Sequence, residues 1–346
     1  MSIDKLLDIP PLSMAMQCDI QSALNSKAKP PQSLGKIEDI ALRLGLIHRS
    51  VTPKADKPVL LVFAGDHGLT RSGVAAFPSA ITVAMVDTLL QGRATANAFA
   101  KVVGAEVRVI DAGVERDLSD RTGLFHQKVA FGTKDASKEA AMTREQTLEA
   151  LQRGAAIADA AIADGANLIL LGEMGIGNSS SASLIVHRLT KAPLHLCVGP
   201  GAGHSEESMG VKRDTLNRAA ARTDAFEPFD VLREFGGFEI AMMAGATLAA
   251  AKAGVPVLVD GFICSAAVLN AIHMVPAAKD YCLFTHASAE PGHAITMTSL
   301  KLQPLLHLDM RLGEGTGALL AVPLVQAACA LLSDVAPLSE VMERAQ

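Results

Sequence analysis

Short, largely apolar runs alternate along this chain with Ala-rich stretches of helical length. Residues 59–64 run into Gly65-Asp66-His67-Gly68, and residues 107–110 into Asp111-Ala112-Gly113. Residues 168–171 run into Gly172-Glu173-Met174-Gly175, 196–198 into Gly199-Pro200-Gly201, 257–259 into Asp260-Gly261, and 282–284 into Thr285-His286. Between them, residues 84–102, 144–162 and 238–253 have the length and composition of helices. Apolar strands without in–out alternation, separated by helices, predict an α/β fold with a parallel sheet covered on both faces. Right-handed crossovers then bring every polar strand end to one edge, the edge at which open α/β sheets bind ligands.

The chain ends break the pattern. The first stretch is short and carries Pro10-Pro11 and Pro30-Pro31, and from about Leu305 onward the sequence predicts helix with no further strand. The expected division is a large α/β domain over residues 27–305 and a small helical domain made from residues 1–26 with 306–346. Residues 317–332 are the longest apolar stretch. They contain Pro323 and Gln326 and fall short of a bilayer span, so a buried helix is expected and no membrane partner.

Composition narrows the chemistry. Of 346 residues 49% are hydrophobic, only 3% aromatic and 19% charged, so Ala, Val, Leu and Ile must fill the core. A net charge of -5 with no basic stripe argues against a nucleic-acid partner. The N-terminus lacks a basic start followed by an apolar run, and five scattered cysteines without a CxxC pair fit a reducing compartment, so a cytoplasmic location is expected. Ten histidines without metal-ligand spacing point to no metal.

Four segments carry candidate chemistry. Gly172 to Ser181 follows a strand and leads into a helix; it is either a cradle for phosphate or ribose (Glu173, Gly175, Gly177, Asn178, Ser179) or a tight turn whose Asn and Ser side chains cap the helix. The second glycine turn, Gly199 to His204 with Gly201 and Gly203, precedes a charged helix over 206–222. Its Lys212 or Arg213 either reaches back to a phosphate or sits on a solvated face. Asp66 either serves a ligand or braces the strand end, while Val74, Phe77 and Pro78 form either a flat apolar wall or part of the core. Glu314, between Gly313 and Gly315, is either a desolvated carboxylate suited to accept a proton or a carboxylate favouring a helix dipole.

In this order along the chain, these segments resemble the nicotinate-nucleotide–dimethylbenzimidazole phosphoribosyltransferase family. The resemblance begins at Lys29 to Glu38 and continues through Ala64 to Gly68, Gly172 to Asn178, the 199–203 turn with Lys212, Val259 to Ile263, His286 to Glu290 and Leu312 to Gly317. It implies a Rossmann-like sheet plus a small domain from both chain ends, and a homodimer with active sites near the subunit interface. The implied reaction is transfer of the phosphoribosyl group of nicotinate mononucleotide to a benzimidazole-type base, giving an α-riboside 5′-phosphate for the lower ligand of cobalamin, without a cofactor. Glu314 matches the catalytic base and Glu173 and Lys212 match active-site residues. Lys212, Gly175 and Ser288 fall near the nucleotide phosphate. The chain departs from the pattern at Gln32, where Gly is usual, and at Ala84 and Met85, where a Gln is common, so the preferred base stays open. The rival readings are a nicotinamide-dependent oxidoreductase, opposed by the missing GxGxxG fingerprint, and a ligand-binding or regulatory protein without turnover.

Overall fold

A computed structural model describes residues 6–201, 203 and 206–346, with residues 206 and 207 described in backbone only. Ala202 and His204 of the second glycine turn, and residues 1–5 of the expected small domain, lie outside the described residues.

Among the described residues six strands form one wholly parallel sheet: β1 (Pro58–Gly65), β2 (Glu106–Gly113), β3 (Leu124–His126), β4 (Leu168–Met174), β5 (Val257–Val259) and β6 (Cys282–Phe284). Their order is β3-β2-β1-β4-β5-β6. Helices on both faces, with this order, make the sheet Rossmann-like, and its strand order reverses between β1 and β4. Alternation along these two strands builds two cores. Leu61, Phe63, Ile169 and Leu171 face one core, shared with the helices Arg144–Ala163, Phe238–Lys252 and Phe262–Met274. Leu60, Val62, Leu168 and Leu170 face the other, shared with Lys36–His48, Thr95–Val103 and Thr316–Ser333. The last of these helices is long and apolar enough to cross a membrane, yet it packs mostly buried inside this second core.

Three expectations need correction. Residues 196–198 are not a strand: Leu194–Cys197 is a single helical turn, with Leu194 and Cys197 buried three residues apart and Leu196 turned outward. The place beside β4 belongs to β5 instead. Residues 84–102 are not one helix but two, Ala80–Leu90 and Thr95–Val103, divided at Gly92, whose left-handed φ of +71° no helix accommodates. A strand does follow Leu305: the two-residue β8 (Leu306–His307) pairs in parallel with β7 (His286–Ala287). Such a pair, like the short edge strand β3, leaves no apolar run to read. At Gln32 the backbone is left-handed, φ +59°, which explains why glycine suits that position.

The two chain ends meet. Ala28 N–H donates to Ala336 O, Leu338 N–H to Ser26 O, and Lys27 Nζ to Val335 O.

Candidate active site

Beside the carboxyl end of β4, next to the switch in strand order, lies a cavity of about 790 Å³, a size suited to a nucleotide together with a flat base. Its floor is the loop from Glu173 to Ser179, one wall is Val74, Phe77, Ile81 and Met85, and Glu290, Arg311 and Glu314 close the far side.

The floor is a turn in which glycines permit contacts that side chains would block. A Cβ on Gly175 would collide with Gly65 O, and Gly177 takes φ +95° as the helix Asn178–Thr190 begins. The adjacent polar side chains do not cap that helix. Asn178 donates instead to Glu173 Oε2, Ser179 Oγ accepts from Lys212 at 3.3 Å, and Ser181 bonds His67 Nδ1 at 2.9 Å. His67 in turn meets Glu239 at 2.6 Å, all three residues being buried.

Lys212 is fully buried rather than on a solvated face. Its ammonium donates to Gly199 O at 2.9 Å, and burial pushes its pKa down to about 8 against the opposing pull of Glu290. Glu290 accepts from Gly201 N at 3.0 Å through one oxygen, while the other is buried without a hydrogen-bond partner. Burial raises the Glu290 pKa, and Lys212, the Gly201 N–H and Arg311 oppose the rise. Arg311 is the one cationic side chain among the described residues lining the cavity, and it donates to Gly201 O at 2.7 Å. Gly201 is thus held by a carboxylate on its N–H and a guanidinium on its C=O.

Glu314 is 5% exposed and lines the cavity. The three residues Gly313, Glu314 and Gly315 all have left-handed backbones, with φ of +88°, +61° and +83°. For a residue with a Cβ this is a strained conformation, of order 1–3 kcal/mol, that the surroundings must enforce. One enforcing contact is beneath it: a Cβ on Gly172 would lie 2.7 Å from Glu314 O, so β4 must carry glycine there for the turn to rest on it. Burial raises the Glu314 pKa, the Ala96 N–H that its carboxylate accepts at 3.3 Å opposes the rise, and nearby Asp260 adds to it. Glu173 is buried at the cavity floor; desolvation first, then the charges of Asp260, Glu239 and Glu314, push its pKa up to about 8 despite the Asn178 hydrogen bond.

Of the residues expected from sequence, Glu173, Gly175, Gly177, Asn178, Ser179, Gly201, Phe77 and Glu314 line this one cavity. Ser288 lines a small recess that shares Glu173, Ile263, Glu290 and Arg311 with it. Lys212 lies behind Ser179 and Gly199. Gly203 and Pro78 are not among the lining residues; Pro78 sits exposed beside Phe77. Asp66 is a brace: its carboxylate accepts from Thr82 Oγ1 at 2.6 Å and Glu115 N at 2.8 Å, and Thr82 accepts the Ile176 N–H of the floor. Sequence reasoning missed Arg311, Glu290 and Ile81 as lining residues. Glu290 stood within a quoted motif, whereas Arg311 and Ile81 had no local signal.

A family profile described as Phosphoribosyltransferase matches residues 9–341. The nicotinate-nucleotide–dimethylbenzimidazole phosphoribosyltransferase of Dechloromonas aromatica is 46% identical over 328 residues, 93% of each chain. The enzyme of the same name from Cupriavidus necator is 44% identical over 333 residues, 96% of each chain. The crystal structure of CobT from Thermus thermophilus superposes with a TM-score of 0.91 at 39% identity, covering 94% of this chain and 98% of that one. With the fold, the cavity and the ordered motifs in agreement, the chain belongs to the phosphoribosyltransferase family of which these nicotinate-nucleotide–dimethylbenzimidazole enzymes are members.

Proposed function

We propose that this chain moves the 5-phosphoribosyl group of nicotinate mononucleotide to 5,6-dimethylbenzimidazole or a related base, releasing nicotinate and the α-riboside 5′-phosphate. The observation that carries the proposal is the cavity itself, which sets a buried carboxylate, Glu314, between an apolar slot and a cationic corner. The slot of Val74, Phe77, Ile81 and Met85 suits a flat aromatic ring, and the Lys212–Gly201–Arg311 corner suits a 5′-phosphate. The unpartnered oxygen of Glu290 beside it suits a sugar hydroxyl.

In this arrangement the base nitrogen attacks C1′ from the face opposite the pyridinium. The C1′–N bond to nicotinate breaks, and its electron pair neutralises the pyridinium. Attack on that face inverts the anomeric carbon from β to α. The new ring cation has a much more acidic N–H, and Glu314 takes that proton. A carboxylate whose pKa is raised by burial is the better acceptor. General-base help of this kind contributes roughly 10²–10⁴ in rate, and fixing both partners adds to it.

Two further assignments belong to the same proposal. The two chain ends form a small helical unit, supported in their described part by the hydrogen bond from Leu338 N–H to Ser26 O. The protein is a homodimer with the cavity mouth at its interface, supported by the exposed apolar side chains of Phe77, Ile81 and Leu312 around that mouth.

The test is a panel of benzimidazoles, purines and phenols offered with nicotinate mononucleotide, following nicotinate release and the anomeric form of the product. An α-riboside phosphate from a benzimidazole supports the proposal; no riboside phosphate from any base overturns it.

A further inference from the structure

Asp260 does no chemistry in the scheme above, yet it is tied by hydrogen bonds to the backbone that follows the proposed base. It follows β5, is 1% exposed, and both of its oxygens are used. One accepts the N–H groups of Gly317 at 2.8 Å and Ala318 at 3.2 Å; the other accepts the N–H of Gly315 at 3.1 Å. These are the donors that the helix Thr316–Ser333 leaves free in its first turn, together with that of its N-cap. The helix has no cap of its own, because the residue in that place is Gly315. Asp260, 55 residues earlier in sequence, supplies the cap from a different element.

The bonds do more than start a helix. Gly315 is the third of three consecutive left-handed residues, and Glu314 is the second. Left alone, that turn relaxes toward ordinary backbone and carries the Glu314 side chain away from the cavity. We infer that Asp260 is the positioning residue for Glu314: its carboxylate, by gathering the N–H groups on the C-terminal side of the turn, holds Glu314 against the cavity while Gly172 supports it from below. This inference rests on the reading of Glu314 as the proton acceptor.

The same placement gives Asp260 a second effect that a plain helix cap lacks. Burial raises the Asp260 pKa, while His286 and the N–H groups of Gly261, Gly317 and Ala318 oppose the rise; in its ionised form Asp260 disfavours ionisation of Glu314 and so also strengthens Glu314 as a base. The groups that bear on Glu314 are the Ala96 N–H from the helix Thr95–Val103, Asp260 after β5, and Glu173 at the end of β4. Around Asp260 stand His286 of β7, with Nδ1 3.5 Å from Oδ1, Cys264 of the helix Phe262–Met274, and Glu173, itself adjoining Glu239. His293 stacks on the far side of His286, ring centroids 6.4 Å apart.

The experiment compares full-length wild type, Asp260→Asn, Glu314→Gln and the double variant, reading nucleotide affinity, kcat and the pH profile of kcat/KM. Asp260→Asn keeps shape but loses charge and acceptor capacity. It is expected to lower kcat roughly 10–100-fold, since a misplacement near 1 Å costs about that much, with nucleotide Kd within about threefold. The acid limb of the profile is expected to move to lower pH, roughly half a pH unit or more, because a like charge beside Glu314 is gone and water reaches it more freely. A simple stability role moves neither the limb nor the kcat-to-Kd split. The double variant is expected to be no slower than Glu314→Gln within about threefold, since Asp260 acts through Glu314.

Wild-type kcat and an unmoved acid limb in Asp260→Asn overturn the inference, as do losses that multiply in the double variant. If Asp260→Asn fails to bind nucleotide, Asp260→Ser, which retains one acceptor, is measured instead. Failure of both to bind makes Asp260 a residue of general stability and overturns the inference too. Full turnover by Glu314→Gln sinks the underlying reading of Glu314, an outcome separate from all of these.

Discussion

Glu173 is a carboxyl that folding forces to keep its proton, and this gives a measurable dependence of stability on pH. Its ordinary pKa of 4.5 is pushed up to about 8, chiefly by burial and secondarily by Asp260, Glu239 and Glu314. Between those two values the unfolded chain gives up the proton and the folded chain retains it. The unfolded state then binds fewer protons, so stability falls as pH rises. The contribution is fully present below about pH 4.5 and is lost as pH climbs through about 8. At about 1.4 kcal/mol per pH unit the full loss is on the order of 5 kcal/mol. The perturbation is Glu173→Gln, close to the protonated acid in shape and still able to accept from Asn178. At pH 5 the variant is expected within about 1 kcal/mol of wild type, because both side chains are neutral in the fold. At pH 8.5 it is expected to be the more stable by several kcal/mol, which at about 2 °C per kcal/mol separates the melting temperatures by several degrees. Calorimetric scans of both proteins in steps from pH 5 to 8.5 read this directly. Melting temperatures that run parallel across the range refute the reasoning. They mean either that Glu173 ionises inside the fold or that water reaches it.

Three other outcomes follow from the geometry. Lys212→Met is expected to weaken nucleotide binding roughly tenfold by removing the buried positive charge behind Ser179 and Gly199 and the hydrogen bonds that hold this corner; wild-type affinity is expected to fall as pH rises through about 8, where buried Lys212 loses its proton, and calorimetric titration across pH 7–9 should find no such fall in the variant. Phe77→Ala removes a half-exposed ring from the slot and is expected to raise the KM for the base about tenfold while leaving nucleotide Kd and melting temperature nearly unchanged; initial rates at saturating nucleotide check it. Gly172→Ala sets a methyl 2.7 Å from Glu314 O, so backbone must shift: a stability loss of about 1–3 kcal/mol and at least a tenfold lower kcat are expected, with nucleotide Kd little changed, all readable from denaturant melts and steady-state rates.

The sheet was legible because a fully buried parallel strand leaves a local mark. Residues 59–64 and 168–171 are unbroken apolar runs with polar residues at their ends, and both proved central strands on either side of the switch point. Residues 196–198 have the same surface pattern in miniature, but three apolar residues do not distinguish a strand from one helical turn. The two-residue pair β7–β8 is set by contacts between distant segments and leaves no mark at all. The site follows the same rule. A Gly-rich strand end announced Gly175 and Gly177, and a Gly-rich helix start announced Glu314, since tight turns demand glycine nearby. Arg311 and Ile81 carry ordinary local sequence and reach the cavity only through tertiary placement. For Asp66 the sequence leaves a ligand contact and a brace equally open, because it does not say which way a carboxylate points at a strand end; the hydrogen bonds from Thr82 and Glu115 fit the brace. Asp260 was visible as the polar end of a strand and inside a motif, but its link to Gly315, Gly317 and Ala318 exists in three dimensions alone.

The proton acceptor is the centre of the account, and Glu314→Gln addresses it most directly. Nicotinate release with dimethylbenzimidazole, measured beside equilibrium binding of nicotinate mononucleotide, is expected to show kcat reduced by roughly 10²–10⁴ with the nucleotide still held at near wild-type affinity. Turnover within a few-fold of wild type contradicts the account, because the amide of glutamine takes up no proton from the base.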